Sequence, residues 1–145
     1  MDKVSIYLNF MGNTAEAFNF YKSVFNTEFE APIMYIKDAP PQEGMPPLSD
    51  NDLNSVMHVC LPILGGMRIM GTDMLESMGH KLVVGNNTTI NLEPNTKEET
   101  IRLFNLLSNG ATNIAPLSEQ FWGAYWGCCL DKFGIRWMFN FTHQK

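Results

Sequence analysis

Cysteine is scarce and badly placed for a framework. The three thiols, Cys60, Cys128 and Cys129, are odd in number and two are adjacent. This argues against a disulfide scaffold and for a reducing cytoplasm. No C-x-x-C pair occurs, and His58, His80 and His143 do not supply a zinc-site spacing. No metal and no other cofactor is therefore expected. Basic residues are also few: ten Lys and Arg, scattered, against fifteen Asp and Glu, for a net charge of −5. Neither nucleic acid nor an anionic membrane would find a basic patch. The opening MDKVSIYLNF lacks the long apolar run and small-residue cleavage site of a signal peptide, and no apolar stretch reaches bilayer length. P-loops, G-x-G-x-x-G turns and a Ser-His-Asp order are absent as well.

Apolar weight is what remains. The hydrophobic fraction is 45% against 17% charged over 145 residues, which implies a single domain, 1–145, with a sizeable core. Val4 to Phe10 reads as a strand. It is followed by a helix from Asn13 or Thr14, with Ala17, Phe18, Tyr21, Val24 and Phe25 at helical spacing. EFEAPIMYI reads as a second strand, and Lys37 to Asp52, rich in Pro, Gly and Asp, as an exposed loop. NSVMHVCLPIL and MRIMGTD form a hairpin about the turn Gly65-Gly66. TTINLE is a strand, and the next helix starts at Asn95 or Thr96 and ends at Gly110. Three strands complete the chain, near Thr112–Pro116, Gly123–Leu130 and Ile135–Phe141.

The chain thus states one arrangement twice. Asn95-Thr96-x-Glu98 repeats Asn13-Thr14-x-Glu16 at a distance of 82 residues, and Gly134-Ile135-Arg136-Trp137-Met138 repeats Gly66-Met67-Arg68-Ile69-Met70 at 68. The shift changes once, across the Pro-rich loop, as a duplication with an insertion would require. The fold class is α+β, with βαβββ units over 1–75 and 86–145.

In that order of elements the sequence resembles the vicinal oxygen chelate superfamily of glyoxalases, bleomycin-resistance proteins and dioxygenases. YLNFMGNTAEAFNFYKSVFNTEF and FWGAYWGCCLDKFGIRWMFNF resemble its PhnB-like branch. The resemblance implies two units curled into an incomplete barrel around a cavity, and a homodimer. It also implies metal ligands on the first and last strands of each unit in members that use a metal. Here those positions fall on Met70 and Met138, with Ile6 or Leu8 and Thr88 or Ile90 on the opening strands. Thioethers suit soft copper rather than zinc, nickel or manganese. PhnB-like proteins are often labelled demethylubiquinone methyltransferases, but the glycine-rich nucleotide turn for that chemistry is missing.

A cavity wall can still be sketched. Pairing Leu130 with Ile135 sets Tyr125 opposite Asn140 and Cys129 opposite Arg136, giving a soft, mixed wall of Tyr125, Cys129, Arg136, Met138 and Asn140. Met70 joins it from the first unit, and Trp122 is either a ligand stacker or a core or dimer contact. A two-residue turn at Gly65-Gly66 pairs His58 with Asp73, a candidate general-base couple that also has a purely structural reading. His80 and His143 read as loop and tail residues. The expected function is metal-independent binding of a small amphipathic ligand. The alternative is a metal-dependent lyase, isomerase or dioxygenase-like enzyme using residues such as His58 and Asp73.

Overall fold

Helices with one apolar face, each laid on a four-stranded sheet, account for both halves of the chain. The computed structural model describes residues 2–41 and 43–142; His143 lies outside them. The chain forms two compact units, Met1–Val83 and Val84–Lys145. The first runs β1 (Ile6–Phe10), α1 (Thr14–Phe25), β2 (Met34–Tyr35), a short α2 (Asp50–Leu53), β3 (Val56–Pro62) and β4 (Arg68–Asp73). The second runs β5 (Ile90–Leu92), α3 (Lys97–Leu107), β6 (Thr112–Glu119), β7 (Ala124–Leu130) and β8 (Arg136–Thr142).

The sheet orders are the same, β1-β4-β3-β2 and β5-β8-β7-β6. In each, the opening strand lies parallel to the last and the other pairs are antiparallel. This is the α+β arrangement of two βαβββ units, and each sheet is open. The helices bury the apolar stripes that their spacing announces: Ala17, Phe18 and Tyr21 on α1, and Leu103 and Leu107 on α3, are fully buried. Thr96 caps α3 by accepting from the Glu99 N–H at 3.1 Å. Asn13 is the N-cap of α1 but makes no side-chain cap bond.

The hairpins correct the expected register. In the first unit the Ile63 N–H donates to the Met67 carbonyl at 2.8 Å, and in the second the Asp131 N–H donates to the Ile135 carbonyl at 2.8 Å. The first loop therefore has three residues rather than the two of Gly65-Gly66, and the second has three rather than the four that a Leu130–Ile135 pairing leaves; they end in Gly66 and Gly134, with φ of 78° and 91°. Only glycine adopts that backbone without cost. Leu130 pairs with Arg136, not Ile135; Cys129 pairs with Trp137, and Tyr125 with Phe141. A slip of one residue exchanges the two faces of a strand.

Strand lengths also differ from expectation: β1 begins at Ile6 and β5 covers only Ile90–Leu92. β2 is confined to Met34–Tyr35, while β6 extends to Glu119. The Pro-rich segment carries a 3-10 turn at Ile36–Asp38 and ends in α2, where Asp52 is buried.

Candidate functional site

Each sheet has one face under its helix and one turned away. In the first unit the pairings Val59–Gly71 and Leu61–Ile69 put those four residues, all buried, beneath α1. Alternation then places Tyr7, Cys60, Arg68, Met70 and Thr72 on the opposite face. In the second unit Trp137 and Phe139 are fully buried beneath α3. The opposite face carries Asn91, Trp126, Cys128, Arg136, Met138 and Asn140.

The register decides which candidates can line a site. Arg136, Met138 and Asn140 share the helix-free face, as expected, and Met70 sits on the corresponding face of the first unit. Tyr125 and Cys129 do not join them, since both lie on the helix side. The Lys97 ammonium, at the start of α3, stands 4.6 Å from the centre of the Tyr125 ring. Cys129 is buried, and its thiol is pushed up to about 12 by burial first, then by the charges of Asp131 and Cys128. A thiol so held is a poor nucleophile. The places they were expected to fill, opposite Asn140 and Arg136, belong to Trp126 and Leu130, and Cys128 faces Met138. Trp122 lies in the exposed turn between β6 and β7, edge-on to the still more exposed Phe121.

His58 and Asp73 form no couple. The three-residue loop shifts their pairing, and the Asp73 carboxylate is committed elsewhere. It accepts from the N–H groups of Gly12 (2.9 Å), Thr14 (3.2 Å) and Val56 (2.8 Å) and from the Thr14 hydroxyl (2.6 Å). Asp73 thereby ties the end of β4 to the start of α1 and to β3. His58 instead meets Tyr7, with 3.3 Å between the phenol oxygen and Nδ1. His80 Nδ1 accepts from the Leu75 N–H in the loop after β4.

The two repeat-related arginines differ in a way the sequence did not show. Arg68 Nη1 reaches both carboxylate oxygens of Glu30, at 3.2 and 3.1 Å. Hydrogen bonds from the Cys60 thiol and from Arg68 hold that carboxyl below its ordinary range. Among the described residues Arg136 has only a neutral partner, donating from Nε to the Thr89 hydroxyl at 3.4 Å. Asn140 bonds to Asn91 at 3.3 Å. The second unit thus presents a guanidinium without an ion pair among the described residues, flanked by two amides and a thioether.

A metal does not fit these donors. The pairings Tyr7–Met70 and Asn91–Met138 place those residues, rather than Ile6, Leu8, Thr88 or Ile90, at the opening-strand and closing-strand positions of the helix-free faces. Neither a phenol with a thioether, in the first unit, nor an amide with a thioether, in the second, is a donor set for zinc, nickel or manganese. Among the described residues no group of three or more His, Cys, Asp or Glu side chains gathers. No helix among them is long and apolar enough to cross a membrane.

Comparison with known proteins agrees with the architecture. A family model described as 3-demethylubiquinone-9 3-methyltransferase matches residues 2–139. The crystal structure of protein PA1353 from Pseudomonas aeruginosa is 29% identical, with a TM-score of 0.83 over 99% of this chain and 100% of that one. The PhnB protein from Bacillus cereus is 23% identical, with a TM-score of 0.75 over 97% and 100% of the two chains. A glyoxalase/bleomycin resistance protein/dioxygenase family enzyme from Burkholderia phytofirmans PsJN shares the fold at 19% identity and a TM-score of 0.58, over 94% and 97%.

Proposed function

The chain belongs to the 3-demethylubiquinone-9 3-methyltransferase family, the PhnB-like branch of the glyoxalase/bleomycin-resistance fold, and from that premise we propose that it is a metal-independent binder of a small amphipathic molecule. The observation that carries this reading is the contrast between Arg68, paired with Glu30, and Arg136, which among the described residues has only a neutral hydroxyl partner. Arg136 is the anchor for an anionic or strongly polar oxygen group, in the bidentate manner that guanidinium favours. Asn91 and Asn140 supply donors and acceptors beside it, and Met138 and Trp126 receive the apolar body. The helix-free face of the first unit offers Tyr7, His58 and Met70 for a similar purpose. Trp122, Tyr125 and Cys129 have no part in this reading.

Methyl transfer, which the family description names, is not adopted, because the sequence has no glycine-rich nucleotide turn. The enzymatic alternative, a lyase, isomerase or dioxygenase-like member, would have to work through Tyr7 and His58, since Asp73 is occupied. The free state of all three cysteines favours a cytoplasmic setting, and the homodimer remains part of the proposal through the family resemblance.

Calorimetric titration of the full chain tests the reading. Zinc, nickel and manganese should show no stoichiometric binding, whereas a panel of small aromatic carboxylates should yield a ligand. Arg136→Gln should weaken that ligand by roughly ten- to a hundredfold, the worth of a charge-assisted bond. Tight binding of a metal ion, or indifference to Arg136→Gln, would overturn it.

A further inference from the structure

Between their second and third strands the two units differ sharply. In the second unit residues 120–123 join β6 to β7, while in the first residues 36–55 separate β2 from β3. The longer connection borders an open cleft of about 620 Å3, within the roughly 300–1,000 Å3 of small-molecule pockets. Pro40, Pro41, Pro46 and Pro47 line one side; Leu53, Met57 and Leu75 are among the residues that complete it. Each proline fixes its own backbone φ, which lowers the entropy lost when this side of the cleft is ordered by a ligand.

The connection is held at both ends. The Ile36 N–H donates to the Ser55 carbonyl at 3.0 Å. Ser49 accepts from the Asp52 N–H at the start of α2, and the Asp52 carboxylate accepts from the Ser77 hydroxyl at 2.7 Å. One charged residue, Lys37, lines the cavity. Its ammonium donates to the Asn54 side-chain carbonyl at 3.2 Å and stands 5.7 Å from the centre of the Tyr35 ring. Both partners are neutral, and the neighbouring Asp38 carboxylate is engaged with the Tyr35 N–H at 2.9 Å. Lys37 forms no ion pair among the described residues, so an exposed cation without a charged partner stands at the rim of an apolar space.

We propose that this cavity binds a small carboxylic acid with an apolar body, its hydrocarbon seated among the prolines, Leu53, Met57 and Leu75, and its carboxylate on Lys37. A neutral molecule of the same shape would gain the apolar contacts without satisfying the ammonium. A dicarboxylate would place its second charge against leucine and methionine. The site shares no residue with the helix-free face of the second unit, so it stands or falls separately from the function proposed above.

The probes are decanoate and decan-1-ol, titrated calorimetrically into the full-length protein. Decanoate should bind at least about tenfold more tightly than the alcohol, the difference one charged contact supplies. Lys37→Met should bring decanoate down to the level of the alcohol, and Lys37→Arg should keep the preference. Met45→Trp, at a partly exposed position on the cavity wall, should weaken both ligands about tenfold without lowering Tm. Arg136→Gln should leave both unchanged. No binding of decanoate, equal affinity for acid and alcohol, or indifference to Met45→Trp would each overturn the proposal. So would loss of decanoate binding in Arg136→Gln, which would move the acid to the second unit.

Discussion

The two units reach the same packing from opposite residues. In the first, Phe18 on α1 lies fully buried against Gly71 on β4, where even a Cβ would run into its ring. The repeat-related positions in the second unit are Thr100 on α3 and Phe139 on β8, both fully buried. The large residue has moved from helix to strand and the small one from strand to helix. The neighbouring strand follows suit: Val59 faces Gly71, whereas Gly127 faces Phe139. Duplication has kept topology, hairpin loop and filled volume, and it has let the identity of each residue drift. Cores tolerate such exchange when total volume is kept.

Breaking that comparison should give the largest effect. Phe139→Ala empties the second core and should cost about 3–5 kcal/mol in urea denaturation. Gly71→Phe should be at least as damaging to the first unit, because Phe18 already fills the space. Combining it with Phe18→Thr recreates the arrangement of the second unit and should restore most of the loss. A double variant no better than the sum of its parts would show that the two cores are not interchangeable solutions.

Buried carboxylates sharpen the same contrast. Asp73, at the end of β4, binds three backbone N–H groups and the Thr14 hydroxyl. Its repeat position in the second unit is Phe141, and the buried acid there is Asp131, at the hairpin. Asp131 accepts from the N–H groups of Phe133 (2.8 Å) and Ile135 (3.0 Å) and from the Trp137 indole (2.8 Å). One acid fastens a helix start; the other fastens a turn to a core tryptophan. Asp73→Ala strands several donors and should cost about 3 kcal/mol, with early loss of amide-exchange protection at Gly12, Thr14 and Val56. Asp131→Ala should cost about 2 kcal/mol, and its protection loss should fall on Phe133 and Ile135 instead. Protection lost at the same places in both variants would contradict the separate roles.

Much of this was legible in the chain. The helical spacing of Phe18, Tyr21 and Phe25, the repeated Gly-x-Arg-x-Met and the changing repeat distance give the element order and the duplication. Register was not legible, because Gly65-Gly66 reads as a two-residue turn while the Ile63–Met67 bond closes a three-residue loop. That residue separated His58 from Asp73, and in the second hairpin the Asp131–Ile135 bond, which pairs Leu130 with Arg136 instead of Ile135, moved Tyr125 and Cys129 beneath the helix. The cleft behind the Pro-rich loop was hidden for another reason: proline and glycine announce a loop, but not what the loop borders. The free state of Arg136 was equally out of reach, since Arg68 and Arg136 sit in matching motifs and only Glu30, far away in sequence, tells them apart.

The smallest effect concerns the thiols, which the corrected register places in different settings. Cys129 lies under α3 with its folded value raised to about 12, chiefly by burial. Cys60 lies on the helix-free face of the first unit and is raised by burial and by its bond to Glu30. Both stay protonated in the folded protein at pH values where an unfolded thiol, near 8.5, ionises. Their contribution to stability is therefore complete below about pH 8 and falls as the pH rises towards the folded value. Between pH 8 and pH 10 the stability advantage of the unmodified chain over Cys129→Ala should shrink by about 1.4–2 kcal/mol, roughly one to one and a half pKa units of free energy. Cys60→Ala should show the same sign. A constant advantage for Cys129 across that interval would mean that its thiol ionises in the fold. That in turn would contradict its buried place beneath α3.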